Sequence, residues 1–169
     1  VAAWGGFNWS LEVANTEEFC LSCHEMEGNV FNELQESVHY TNRTGVRATC
    51  PDCHVPSEWK HKVSHKITAT IKELQSKWKG TIDTSEKFEQ HRLRMAMSEW
   101  SRMKLNDSLE CRNCHDKMSM DFAKQEPRSS ERHEAAFVDG KTCIECHKGI
   151  AHRLPKDWKQ AAKEAGLQP

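Results

Sequence analysis

Every cysteine of this 169-residue chain belongs to a C-x-x-C pair that is followed at once by a histidine. Disulfide bonds would explain an even number of cysteines but not the adjacent histidines, and zinc sites would need a regular second half that the chain lacks. Covalent haem attachment explains both residue types, because two thiols form thioethers with the porphyrin and the imidazole binds the iron. The sequence therefore predicts four haems c. The cysteines are Cys20, Cys23, Cys50, Cys53, Cys111, Cys114, Cys143 and Cys146, and the histidines are His24, His54, His115 and His147.

The aliphatic content of the chain is low for its length. Leu, Ile, Val and Phe together make up 28 of the 169 residues, a share typical of disordered chains. A formal net charge of −1 argues against disorder, and buried porphyrins would supply the missing apolar area. This charge also gives no indication of nucleic-acid binding. Covalent haem attachment implies an exported protein.

The four motifs form two pairs with similar internal spacing. The first cysteines are 30 positions apart in one pair and 32 in the other, and Cys111 lies 58 positions after Cys53. This repeat predicts an all-α, haem-organised multihaem cytochrome c, with two tandem dihaem units joined by helices and little or no sheet. The predicted divisions are an N-terminal dihaem unit at 1–56, a helical connector at 57–106, a C-terminal dihaem unit at 107–155 and a solvated polar tail at 156–169.

Three helices outside the later motifs follow from local patterns. Apolar residues recur every three or four positions from Trp59 to Trp78, and Gly80 is placed as a stop. A second connector helix is predicted to begin after Ser85 as its cap. A short helix that begins at Asn15 is predicted to carry the first haem motif.

Six histidines lie outside the motifs and are candidates for the second axial position of an iron. His152 follows His147 too closely to reach the same iron from the opposite face, so it would serve another haem. His39 lies between motifs 1 and 2, and His133 lies between motifs 3 and 4. These two and His152 are the preferred distal ligands. On the connector, His61 and His65 could be ligands or face solvent, and His91 is expected to be exposed.

A likeness to a known family is carried by five segments, namely Cys20–Met26, Gly45–Pro56, Gly80–Thr84, Glu110–His115 and Cys143–His152. Together they resemble the NapC/NirT family of membrane-anchored tetrahaem quinol dehydrogenases, and the likeness runs from about Trp4 to Pro155. Among its subfamilies the chain looks closest to NapC, with NirT very close behind. The resemblance implies quinol oxidation at the first haem and electron delivery to a periplasmic nitrate reductase or nitrite reductase.

The resemblance also implies roles around the first haem. By spacing alone, Met26 is either an iron ligand or a methionine packed beside the haem. It matches the methionine that binds the first haem in a related quinol dehydrogenase, in which case His24 is displaced from that iron. Lys66 and Glu73 match a lysine and an acidic residue beside the first haem in relatives, which implies a quinol site. Without the resemblance both would be interpreted as solvated helix charges.

Distal ligands for the other haems follow from the same resemblance. His39 matches the distal ligand of the fourth haem and His152 that of the third, and His133 is the choice for the second. Many relatives carry a histidine where this chain has Ser57. His61 lies one helical turn later and is the alternative ligand for the second haem.

The family has an N-terminal transmembrane helix directly before residues like those at Trp4–Trp9, where this chain begins. The resemblance therefore implies a location at the periplasmic face of the bacterial inner membrane, held by an anchor missing from this sequence. The implied partners are menaquinol or ubiquinol and the periplasmic reductase. Two alternatives stay open: a soluble periplasmic electron shuttle, and a terminal multihaem reductase, although the C-x-x-C-K motif of nitrite ammonification is absent.

Overall fold

Short helices at the attachment motifs and two long helices between them make up most of the fold. The computed structural model describes residues 1–168 and contains no strand among them, which confirms the predicted all-α class. A π-helical segment lies at Met26–Phe31, and single 3-10 turns lie at Lys117–Ser119 and Phe122–Lys124. The α-helices are α1 (Ala2–Val13), α2 (Glu17–Leu21), α3 (Asn32–Gln35), α4 (Cys50–His54), α5 (Trp59–Lys79), α6 (Ser85–Leu105), α7 (Leu109–Arg112), α8 (Pro127–Val138), α9 (Cys143–Cys146) and α10 (Trp158–Glu164).

The long helices α5 and α6 are the two predicted in the connector. α5 ends where Gly80 adopts a left-handed φ of 58°. A Cβ at that position would lie 2.8 Å from the Asp83 carboxylate, and this left-handed backbone favours glycine. The cap of α6 is Thr84, whose hydroxyl accepts a hydrogen bond from the Lys87 amide at 3.2 Å, one residue before the predicted Ser85. No helix within residues 1–168 is long and apolar enough to cross a bilayer.

The chain forms two compact units. Unit 1 comprises Val1–Arg92 together with Gly149–Arg153, and unit 2 comprises Leu93–Lys148 together with the segment that begins at Leu154. In unit 1 the buried apolar side chains include Leu34 and Phe88. The domain boundaries predicted from the sequence at residues 56, 106 and 155 stay predictions.

Unit 2 is built around an apolar cluster to which the end of the chain contributes. Trp100 and Met103 of α6 pack with Ile144, and Ala162 and Leu167 complete the cluster. The prediction of a solvated tail after Pro155 was therefore wrong. Ala162 of α10 is buried in the core of unit 2, and Leu167, after the end of α10, is buried in the same core. The sequence did not predict this helix, because its few apolar residues stand in a short stretch rich in lysine.

Leu167→Ala should lower the free energy of unfolding by about 2–5 kcal/mol, because it leaves a cavity in the cluster of unit 2. The matched control is Leu105→Ala, since the Leu105 side chain is 89% exposed; its effect should stay within about 0.5 kcal/mol. Urea denaturation followed by far-ultraviolet circular dichroism measures both. Equal losses in the two variants would contradict a structural role for the C-terminal segment.

Candidate haem-binding sites

Each attachment motif begins on a short helix, and three of these helices, α2, α4 and α9, are capped by a nearby side chain. At α4 and α9, Thr49 and Thr142 form capping boxes with Asp52 and Glu145. At α2 the cap is Thr16, whose hydroxyl accepts from the Phe19 amide at 3.2 Å. In α4, which spans Cys50–His54, residues three and four positions apart share one side of the helix, so both thiols and the histidine of motif 2 lie on the same side. The side chains of the eight cysteines are half-buried or exposed.

The first two motifs meet in unit 1. Burial, together with the neighbouring Cys20 thiol and Glu17 carboxylate, raises the pKa of the Cys50 thiol to about 12. Glu17 Oε1 lies 3.7 Å from Cys50 Sγ, and the same carboxylate pairs with Arg47. The first cysteines of motifs 1 and 2 are thus neighbours.

The third and fourth motifs meet in unit 2 in the same way. A hydrogen bond from Cys111 lowers the pKa of the Cys143 thiol, so these two first cysteines are also neighbours. Burial lowers the pKa of His147, and the nearby His133 and His115 lower it further. Each unit therefore joins two attachment motifs through their first cysteines, as an internal repeat requires.

In unit 1 the imidazole of His152 faces that of His54. The ring centroids are 6.1 Å apart and the ring planes are inclined by 30°. Because a metal–nitrogen bond is about 2 Å long, two imidazoles on opposite sides of one iron have centroids about 6 Å apart. The separation of the two rings therefore matches that of the two axial ligands of one iron. Burial lowers the pKa of His152 to about 4, so its ring is neutral near pH 7, the form that binds a metal.

A buried ion pair holds the segment that carries His152. The Arg92 guanidinium donates to both carboxylate oxygens of Glu33, at 2.9 and 2.8 Å. Glu33 also accepts a hydrogen bond from the Arg153 amide at 2.9 Å, and its Oε2 lies 3.9 Å from Nδ1 of His152. The pair fixes the backbone beside His152 and so keeps its imidazole opposite His54. Neither Glu33 nor Arg92 belongs to a motif, and each would be read from the sequence as a surface charge.

In unit 2 the imidazole of His133 faces that of His147. Their centroids are 5.9 Å apart and their planes are inclined by 32°, a separation that again matches the two axial ligands of one iron. Nδ1 of His133 donates to the Gln125 side-chain oxygen at 2.6 Å, so its Nε2 is the nitrogen left for a metal. Phe122 and Phe137 flank His133 at centroid distances of 6.4 Å each. Gln125 was also missed from the sequence.

These pairs differ from the distal assignments that the family resemblance implied. His152 was assigned to the third haem, but it lies opposite the motif 2 histidine, His54. His133 was assigned to the second haem, but it lies opposite the motif 4 histidine, His147. The alternative for the second haem, His61, has an exposed side chain near Glu58.

The other predicted ligands occupy varied surroundings. The His24 side chain is exposed beside Glu25, whereas Met26 is half-buried at the start of the π-helical segment. His39 is half-buried in unit 1. His91 is half-buried as well, and its Nδ1 donates to the Lys87 carbonyl at 2.9 Å, which corrects the expectation that it is exposed.

Lys66 and Glu73 lie close to the first attachment motif in unit 1. Burial raises the pKa of the Cys20 thiol, and the charges of Lys66 and Glu73 both act on it, lowering and raising it respectively. Glu73 is exposed as a whole residue, but the protein atoms around its carboxyl group partly desolvate it and raise its pKa. The positive charge of Lys66 opposes this rise. The Lys66 ammonium donates to the carbonyl of Ala14 at the end of α1. The structure thus brings both predicted quinol-site residues to the first motif.

A model of the NapC/NirT cytochrome c family, N-terminal region, matches residues 1–157, which include all four motifs and both facing histidine pairs. The chain belongs to the NapC/NirT cytochrome c family. Membership confirms the predicted cofactor, four covalently bound haems c.

Three relatives share 58% of their aligned residues with the chain. The cytochrome c-type protein NapC of Paracoccus pantotrophus aligns over 156 residues, which are 92% of this chain and 65% of the relative. The denitrification system component NirT of Stutzerimonas stutzeri aligns over 156 residues, 92% and 77% of the two chains. The cytochrome c-type protein NapC of Escherichia coli aligns over 155 residues, also 92% and 77%. No solved structure matches the chain significantly.

Glu33→Gln should lower the free energy of unfolding by about 3–5 kcal/mol, because it leaves the buried Arg92 guanidinium without its carboxylate. Glu36→Gln is the matched control. Glu36 also lies near Arg153, at 3.6 Å, but its side chain is exposed, so the loss should not exceed about 1 kcal/mol. Urea denaturation of the haem-loaded protein measures both changes. Equal stability of the two variants would exclude the ion pair as the element that holds the His152 segment.

Proposed function

We propose that this NapC/NirT cytochrome oxidises a membrane quinol at its first haem-attachment motif and passes the electrons to a periplasmic nitrate or nitrite reductase. The observation that carries the proposal is the convergence of Lys66 and Glu73 on Cys20. A base and a cation beside a redox centre are what quinol oxidation needs, since it releases two protons with two electrons. Family membership and the names of the NapC and NirT relatives support the same function.

The chain's own residues have separate tasks in this reaction. The ionised Glu73 carboxylate accepts the proton of the quinol hydroxyl. Lys66 uses one ammonium hydrogen for the Ala14 carbonyl and keeps two for a quinol oxygen. Its charge also favours the ionised form of Glu73. The haem bound at Cys20 and Cys23 supplies one-electron redox chemistry.

For the iron ligands we propose His54 with His152 and His147 with His133, on the strength of the two facing pairs. The half-buried Met26 supports a methionine at the first haem, with His24 displaced toward solvent. His39 keeps its predicted role as a distal ligand, and His115 that of a motif ligand. The location we propose is the periplasmic face of the inner membrane, and the quinol is menaquinol or ubiquinol.

Glu73→Gln should slow haem reduction by a quinol analogue by about 100-fold, because a positioned general base typically contributes at least that factor. Lys66→Gln should slow it by about tenfold, the effect of one charge-assisted hydrogen bond. Stopped-flow absorbance measures the rates, and dithionite reduction should stay unchanged in both variants. Lys72→Gln is the matched control, since Lys72 precedes Glu73 and is exposed.

The pH dependence of the same reaction separates the two roles. In the parent the rate should fall as the pH drops through the raised pKa of Glu73, because the protonated carboxyl is no base. In Lys66→Gln the fall should move to higher pH, since the charge that lowers this pKa is gone. Parent-like rates in both variants would refute the quinol site.

His152→Ala should convert one low-spin haem to a high-spin haem that binds carbon monoxide, and His61→Ala should not. In a chain with Cys50 and Cys53 replaced by serine, which attaches three haems, His152→Ala should change no further haem. His133→Ala in that background should still open one. Electron paramagnetic resonance counts the high-spin irons. A new high-spin iron from His152→Ala in the three-haem chain would assign His152 to another haem, as the resemblance first implied.

A further inference from the structure

The outer face of α5 carries an apolar stripe that no part of the described chain covers. Ile67, Ile71, Leu74 and Trp78 recur at intervals of four, three and four residues and so lie on one side of the helix. Their exposed fractions are 58%, 52%, 63% and 92%. Exposed apolar patches of this extent mark contact surfaces.

The stripe does not face the haem-attachment motif. Lys66 and Glu73, which act on Cys20, each lie one residue before a member of the stripe, Ile67 and Leu74. One residue corresponds to about 100° around an α-helix. The stripe therefore points about a quarter turn away from the side of α5 that meets the first motif.

The positions of the charged and aromatic residues on α5 indicate what kind of partner would cover the apolar stripe. α5 contains six lysines and one acidic residue, Glu73. Trp59 and Trp78 lie at the two ends of the helix, and Trp59 packs against Trp4 of α1 at a centroid distance of 5.7 Å. Trp4 and Trp9 are themselves exposed. The exposed lysines of the helix are Lys60, Lys72, Lys77 and Lys79.

We propose that α5 lies flat in the surface of an anionic phospholipid bilayer, with its apolar stripe among the acyl chains and its lysines at the headgroups. A basic polar face opposite an apolar face with tryptophans is typical of interfacial helices. Anionic headgroups attract such lysines, and tryptophan prefers the boundary between headgroups and acyl chains. This contact is separate from any transmembrane anchor. It places the Lys66–Glu73 side of the helix a quarter turn from the lipid.

The test is sedimentation of the haem-loaded chain with vesicles, followed by haem absorbance. The vesicles contain phosphatidylcholine alone or an equal mixture with phosphatidylglycerol, and the chain should partition to the mixture. The triple variant Ile67→Ser, Ile71→Ser and Leu74→Ser should reduce partition at least about tenfold. Leu105→Ser with Val138→Ser is the matched control, because these residues are 89% and 87% exposed in unit 2; it should partition like the parent.

A second pair of variants tests the charges. Replacing Lys72, Lys77 and Lys79 by glutamine should weaken partition to the anionic vesicles, whereas the same change at Lys156, Lys159 and Lys163 should not. Lys66→Gln and Glu73→Gln should partition like the parent, so loss of quinol oxidation and loss of lipid binding are distinguishable.

Unchanged partition of the serine triple variant would overturn the proposal. The proposal would also be overturned if sedimentation equilibrium showed that the parent chain is a dimer and the triple variant a monomer. A second copy of the chain would then cover the stripe. Circular dichroism and the dithionite-reduced spectrum confirm that each variant folds and carries its haems.

Discussion

Thioether attachment requires two thiols and an imidazole within about one turn of helix, and the chain meets this requirement four times. α4 and α9 begin at threonine caps whose boxes fix the orientation of the turn. The first cysteines then meet in pairs, Cys20 with Cys50 and Cys111 with Cys143. These contacts would bring the two haems of each unit close together, because each first cysteine would hold one haem by a thioether bond.

Buried ion pairs connect segments of this chain that aliphatic side chains would connect in other small domains. Glu33 is buried against Arg92 in unit 1. In unit 2, Glu110 pairs with Arg102 and Glu145 with Lys104. Glu145 also forms the capping box of α9, so a single carboxylate joins the attachment turn to α6. Such pairs demand both partners, since a lone buried charge is strongly destabilising. They help to position the haem-binding segments.

The helix α5 combines two kinds of surface. One side presents Lys66 and Glu73 to the first attachment motif, and the adjacent side carries the exposed apolar stripe. Apolar periodicity identifies such a helix but does not say whether its stripe is buried. On α6 the same kind of period leads to Trp100 and Met103, which are buried in unit 2. The difference lies in what packs against each helix, which is not a local property.

Local chemistry is what the sequence by itself determined: the cofactor, the attachment residues, the all-α class, the two long helices and the stop at Gly80. Each depends on residues within a few positions of one another, so spacing suffices to predict it. The caps of α2 and α6 are Thr16 and Thr84, each one residue from the predicted cap, because neighbouring polar side chains compete for the same backbone amide. Only the tertiary structure decided that the C-terminal segment is part of the core, that Glu33 binds Arg92, and that His152 faces His54 and His133 faces His147. Those contacts join residues distant along the chain, and the path between them is set by packing and buried ion pairs that no local pattern encodes.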